Sequence, residues 1–370
     1  MTRQLTLRTL APALLAVLLL SMVAWAPPAA AAEVGAVYAL SNAPAGNAVL
    51  VWGRAADGAL TPAGSYPTGG AGTGGGLGSQ GAIVLSDNGR WLFAVDAGSN
   101  QVAAFRVSPR GLEQTAHVSS GGATPTSLSV SGDLLYVLNA GGSGNISGFR
   151  VGNDGSLSPL AGSARPLSGD ATAPAQVSFS PDGATLVVTE RATQQIGTYA
   201  VGADGLASGP TVFASSGSTP FGFAFAGRDQ LVVSEANGAP GGSAASSYLL
   251  RDGALSLVTG SAPTFQGAAC WTVVTKNGRF AYTANAASAS ISGFSVGQDG
   301  SLTLLDANGR SGVAGAGAAD MALSVNSQFL YVRNGRDSSI SAFAVAEDGS
   351  LTPLAGMTGL PAGAAGLAAR

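Results

Sequence analysis

Short runs of alternating apolar and polar residues recur along this chain at a regular spacing. Phe294-Ser-Val296 and Leu302-Thr-Leu304 form one pair, divided by Asp299-Gly300. A period of two marks a half-buried strand, and Asp-Gly between two such runs supplies the φ > 0 residues that match hairpin twist. The string from Ile291 to Thr303 returns almost unchanged from Ile340 to Thr352 and from Ile146 to Ser158. Weaker copies run Ile196 to Leu206, Val102 to Leu112, Val49 to Leu60 and Ser246 to Leu255. The turn dipeptides fall at Asp57-Gly58, Arg110-Gly111, Asp154-Gly155, Asp204-Gly205, Asp252-Gly253, Asp299-Gly300 and Asp348-Gly349, at intervals of 44 to 53 residues. A second strand pair lies upstream of each hairpin, such as Trp271 to Thr275 and Arg279 to Ala284 around Lys276-Asn277-Gly278. In the fourth copy it is Gln176 to Ser180 and Ala184 to Thr189 around Pro181-Asp182-Gly183. Four short strands in each of seven such repeats predict an all-β, seven-bladed β-propeller with four antiparallel strands per blade. No 3.6-residue apolar period follows the first 32 residues, which argues against a helical solenoid.

The two ends of the repeat are complementary. The first copy begins at Val34-Gly-Ala-Val-Tyr38, which matches a second strand with no first strand before it. The last copy is followed by Gly363 to Arg370, which reads as a first strand with nothing after it. The C-terminal strand is therefore expected to complete blade one and close the ring, which removes open sheet edges. Blades are placed at about 34–78, 79–122, 123–172, 173–217, 218–265, 266–317 and 318–360. The stretch Gly69 to Gly81 then becomes a flexible crossing between the first two blades. As a phosphate cradle it lacks both Gly-Lys-Ser/Thr and a following helix.

Composition narrows the function classes. Arg3 and Arg8, the apolar run Leu10 to Ala26, and Ala30-Ala31-Ala32 give residues 1–32 the layout of a signal peptide, leaving 33–370 as one propeller domain. An exported, periplasmic or extracellular protein is expected, with no membrane span after the leader is removed. A net charge of −3 and a single Lys, Lys276, provide no basic surface for nucleic acid. One cysteine, Cys270, cannot close an internal disulfide, and His117 is the sole histidine. No zinc, calcium or Gly-x-Ser-x-Gly signature is present, so neither a metal nor another cofactor is expected. A monomer is expected.

Chemistry is sought where the second strands end, at one mouth of the central channel. Three positions beyond the anchor residue of each second strand stand Ser41, Asp96, Asn139, Glu190, Glu235, Asn285 and Asn334. Turn chemistry accounts for the short members but poorly for Glu, which has no special turn geometry. Glu190 and Glu235 fall in adjacent blades, and Arg191 follows Glu190, so these three are the candidate catalytic residues, expected to line one open pocket. Asp96, Trp271 and Asp320 are the candidate ligand-binding residues at the same mouth. Cys270 reads as a small hydrophobe and His117 as a residue of an outer strand.

Tyr136-Val-Leu-Asn139, Tyr282-Thr-Ala-Asn285, Tyr331-Val-Arg-Asn334, Ser180-Pro-Asp-Gly183 and the repeated Asp-Gly-Ser-Leu-Thr carry a resemblance. With them the mature chain resembles the lactonase-like propellers, which include 6-phosphogluconolactonase and carboxymuconate-lactonizing enzyme. The resemblance implies a lactone-directed activity, with His and Arg at the inner-strand starts of the catalytic members. Here those places hold Ala175, Phe221-Gly222 and Cys270-Trp271, none of which replaces a histidine base. Two functions follow as expectations. One is a propeller that binds a small, carbohydrate-like ligand or a surface protein at its mouth. The other is a lactone hydrolase with Glu190 or Glu235 as base and Arg191 stabilising the oxyanion.

Overall fold

The computed structural model describes residues 1, 2 and 33–370. The signal-peptide assignment, 1–32, lies outside the described residues apart from the first two. From Glu33 onward every helix or strand element is a strand, and the strands form seven antiparallel sheets. The fold class read from the repeat is the fold observed.

Blade four shows the plan. Its strands, from the channel outward, are Pro174–Phe179, Thr185–Glu190, Gln195–Val201 and Ala207–Ala214. In blades three and six the outermost strand is broken into two pieces, Leu157–Pro159 with Arg165–Pro166 and Leu302–Leu304 with Gly312–Val313. Blade one takes three strands from the start of the domain and its innermost, Ala365–Ala369, from the end. That strand pairs with Glu33–Leu40 through Val37↔Ala369, Tyr38↔Ala368 and Leu40↔Ala365. The ring is closed as the missing first strand required.

The second strands are buried along their length because each blade face packs on a neighbour. Phe93, Tyr136, Tyr282 and Tyr331 are fully buried anchors, each contributing about 1.5–3 kcal/mol by burial of its side chain. The tyrosines also tie blade to blade. The hydroxyls of Tyr136, Tyr282 and Tyr331 each donate, at 2.8 Å, to the carbonyl of a hairpin glycine in the next blade: Gly205, Gly349 and Gly58. The same hairpins dock sideways on the residue two before each anchor. A Cβ on Gly155, Gly349 or Gly58 would lie 2.3–2.5 Å from Trp91, Phe280 or Phe329. These glycines combine a left-handed φ of 84–87° with a contact that no side chain could share.

Candidate functional site

The mouth of the channel, where second strands end and first strands begin, is covered. The Gly-rich crossing does not hang free as expected; its last residues run across the axis. The hydroxyl of Ser79 donates to the Thr126 carbonyl of blade three at 2.8 Å, and the Gln80 amide N–H donates to the Ala175 carbonyl of blade four at 2.9 Å. The Gln80 side chain donates to the Thr272 carbonyl of blade six at 2.7 Å and accepts from the Thr272 N–H at 2.9 Å. Blade five makes room with Gly222, where a Cβ would stand 2.1 Å from Gln80 Oε1. Asn42 sets the base of the segment through bonds to Thr73 and to the Gly75 and Gly363 carbonyls. One backbone amide and the side chains of Ser79 and Gln80 find partners on three blades and pin this segment as a plug, and the flexible-loop expectation is corrected.

Under the plug lies a cavity of about 250 Å³ lined by Gly76–Ser79, Ala82, Trp271, Asp320, Arg333, Ala365 and Gly366. Asp320 Oδ2 accepts from Arg333 Nη2 at 2.9 Å and from the Gly366 N–H at 3.2 Å. Both side chains of this ion pair are more than nine-tenths buried. Every bond to the carboxylate falls on Oδ2, so Oδ1 has no hydrogen-bond partner among the described residues. Trp271 is buried, with its indole N–H donating to the Ser79 carbonyl at 2.9 Å. Two expected ligand-binding residues, Trp271 and Asp320, thus meet on one space. Arg333 joins them; its place inside the Tyr-Val-Arg-Asn string was a signal, since the equivalent position elsewhere is Leu138, Thr189 or Ala284. Asp320 also lines a second void of about 300 Å³ further down the channel, where it is the only charged lining residue.

On the other side of the plug Arg191 lies 5.1 Å above the Phe221 ring, and Phe221 in turn packs on Trp271 with centroids 5.1 Å apart. Arg191 Nε donates to the Ala173 carbonyl at 3.0 Å, and burial lowers its pKa. Cys270 sits beside it. Desolvation pushes its thiol up to about 12 against the opposing pull of Arg191, so it is no nucleophile at neutral pH. Among the described residues no group of three or more His, Cys, Asp or Glu could hold a metal ion.

The remaining expected residues do not share this space. Glu190 is fully buried and accepts from the Ser168 N–H at 2.9 Å, the Ser168 hydroxyl, and Thr193 Oγ1 at 2.8 Å. Glu235, also buried, accepts from the Ser246 hydroxyl and lies against Gly217. Among the described residues neither carboxylate pairs with Arg191, and both are buried on partners of their own, so the expectation of one open pocket lined by all three is corrected. The reason lies in the third strands. Asn139, Asn285 and Asn334 each donate to a serine there, Ser147, Ser292 and Ser341. In blade four the equivalent residue is Gly197, and the longer Glu190 reaches Ser168 instead. Asp96 is likewise enclosed. It accepts from Thr68 at 2.6 Å and Asn47 at 2.9 Å and faces His117 Nε2 at 3.3 Å.

Comparison with known proteins fits this geometry. The family model for the lactonase, 7-bladed beta-propeller matches residues 45–166 and 271–358, more than half of the chain. The chain belongs to that lactonase family. The stretch between the matched parts holds blades four and five. Among solved structures, a Lactobacillus plantarum protein is similar at TM-score 0.73 and 17% identity, with 92% of this chain and 100% of that chain covered. A Bacteroides uniformis protein, described provisionally as a 6-phosphogluconolactonase, gives 0.71 at 18% identity, over 90% and 98%. The periplasmic gluconolactonase of Pseudomonas aeruginosa gives 0.68 at 18% identity, over 89% and 98%. At these identities the three neighbours speak for the fold alone. No curated protein matches the sequence.

Proposed function

We propose that this lactonase-family propeller is exported and binds a small polyhydroxylated or lactone ring in the cavity beneath its plug. The meeting of Asp320, Arg333 and Trp271 on one enclosed space carries the reading. A carboxylate accepts and a guanidinium donates to ring hydroxyls or a carbonyl, while the indole covers an apolar ring face. At about 250 Å³ the space is smaller than the ~300–1,000 Å³ of drug-sized sites, which suits a single ring. Export is supported by the leader pattern of residues 1–32 and by the likeness to a periplasmic gluconolactonase. We propose that ligand enters as the plug lifts, so Gln80→Ala, which loses the two bonds to Thr272, should speed association of ligand.

Titration calorimetry with D-glucono-1,5-lactone and D-gluconate tests the proposal. Removing one partner of a buried ion pair typically costs 3–5 kcal/mol of stability, so the double variant Asp320→Asn/Arg333→Met accompanies Asp320→Asn. Both should weaken binding at least tenfold while the double variant keeps a near-native melting temperature. Unaltered affinity in a folded variant would remove the site.

The free Asp320 Oδ1 supports a second reading, lactone hydrolysis. Asp320 would take a proton from water as the water oxygen bonds to the lactone carbonyl carbon, with Arg333 holding the oxyanion. The C–O ring bond then breaks and the ring oxygen accepts the proton. Hydrolysis above the spontaneous rate, lost in Asp320→Asn but kept in Glu190→Gln, would establish it. Activity lost equally in a folded Glu190→Gln would return the chemistry to the carboxylates of blades four and five.

A further inference from the structure

A cavity of about 1,080 Å³ lies at the opposite end of the ring from the mouth, in the seam between blades one and two. Its origin is a break in the repeat. The residue two before the second-strand anchor is Trp91, Phe280 or Phe329 in blades two, six and seven, and the next blade's hairpin glycine seals against it. In blade one that residue is Ala36. The facing turn is also altered, to Arg110-Gly111, and Gly111 approaches Tyr66 of the outer strand instead. A seam closed by an aromatic ring at blades two, six and seven is left open here.

What lines the gap is cationic, in a protein whose net charge is −3. Arg54, Arg110 and Arg370 face it, and Asp87 is the one acidic side chain among the described lining residues. Arg54 is more than nine-tenths buried. It donates through Nε to the Arg370 carbonyl at 3.1 Å and through Nη1 to the Ala55 carbonyl at 3.4 Å, and lies 5.5 Å above the Phe329 ring. Its Nη2 has no acceptor among the described residues. Arg370 Nε is buried with no acceptor as well. Unmet guanidinium donors in one cleft call for an oxyanion, which a planar guanidinium binds through paired N–H groups. Tyr66, Val51 and Leu112 supply an apolar wall beside them.

We infer that the cleft between blades one and two is a second binding site, for a small molecule carrying a carboxylate or phosphate on an apolar or aromatic body. It is independent of the ring-binding site at the mouth.

Calorimetric titration of the mature chain with phenylacetate, phenyl phosphate and the neutral 2-phenylethanol tests it. Both anions should bind saturably, the stronger one identifying the head group, and the alcohol at least tenfold more weakly. Ala36→Phe restores the aromatic used in other blades and should abolish anion binding while leaving the melting temperature and lactone binding at the mouth unchanged. Arg54→Gln should weaken the anions at least tenfold. Should it fail to fold, the exposed Arg110→Ala carries the test with about a threefold loss and an unchanged melting curve. Three results would each overturn the site: no saturable binding by 10 mM, equal binding of the alcohol, or wild-type anion affinity in folded Ala36→Phe.

Discussion

Asp96 illustrates how this protein uses an ionisable residue for construction. Desolvation raises its pKa, and hydrogen bonds from Thr68 and Asn47 with the charge of His117 only partly oppose that. Asn holds the equivalent place in blades three, six and seven, so Asp96→Asn should be tolerated, with stability at pH 7 equal to or above wild type. Asp96→Ala strands two donors and should lower stability by about 2–3 kcal/mol, read by chemical denaturation. The pH dependence has a defined sign. Because the folded pKa is raised, the native state binds the proton more tightly, so wild-type stability falls as pH climbs from the ordinary carboxylate value through the raised one. Asp96→Asn should lack that fall, and a parallel profile for both proteins would contradict it. Glu190 and Glu235 are likewise buried on hydrogen-bond donors of the frame. Their partners were partly readable, since the Ile-Ser pairs Ile146-Ser147, Ile291-Ser292 and Ile340-Ser341 accompany Asn, whereas Ile196-Gly197 accompanies Glu190. Ser168 was not readable, because only the folded crossing brings it to Glu190.

At the scale of the element, the hairpins do two jobs. Within the blade three Asp-Gly turns are capped locally: Asp154, Asp299 and Asp348 accept from the N–H and hydroxyl of the serine two residues on, which holds their carboxyls below the ordinary range. Between blades the glycine docks on an aromatic ring, and two glycines separate these contributions. Gly253, at φ 78°, has nothing within 4 Å of a built Cβ, so Gly253→Ala should cost only the left-handed backbone penalty, about 1–2 kcal/mol. Gly349, at φ 86°, would place its Cβ 2.5 Å from Phe280, so Gly349→Ala adds about 1–3 kcal/mol of overpacking. Equal melting losses in the two variants would show that docking contributes nothing. The turns themselves were legible as dipeptides, but the rings that Gly155, Gly349 and Gly58 meet belong to the preceding blade around the ring, which the turn's own sequence does not reveal.

The whole molecule depends on its last strand. Ala365–Ala369 closes blade one, and Gly366 also donates to Asp320, so the closing strand is part of the candidate site's wall. Removing residues 363–370 should therefore lower the melting temperature by several degrees and abolish lactone binding together. Loss of one without the other would separate closure from the site. The plug is a whole-molecule feature in the same sense, because its bonds fall on blades three, four and six at once.

Blade number, strand order and ring closure were written in the sequence, since they rest on a local pattern repeated seven times: two-residue alternation, turn chemistry, and a first strand missing at one end and spare at the other. Trp271 and Asp320 could be placed near the mouth because their positions at the starts of inner strands are counted along the chain. Whether a polar residue faces a cavity or a neighbour is decided across strands and blades, by side-chain reach and by what the facing repeat happens to carry. That tertiary arrangement turned Glu190 and Glu235 inward and laid Ser79-Gln80 across the channel. It also left the seam beside Ala36 open, because the aromatic ring that seals the seams beside Trp91, Phe280 and Phe329 is absent there.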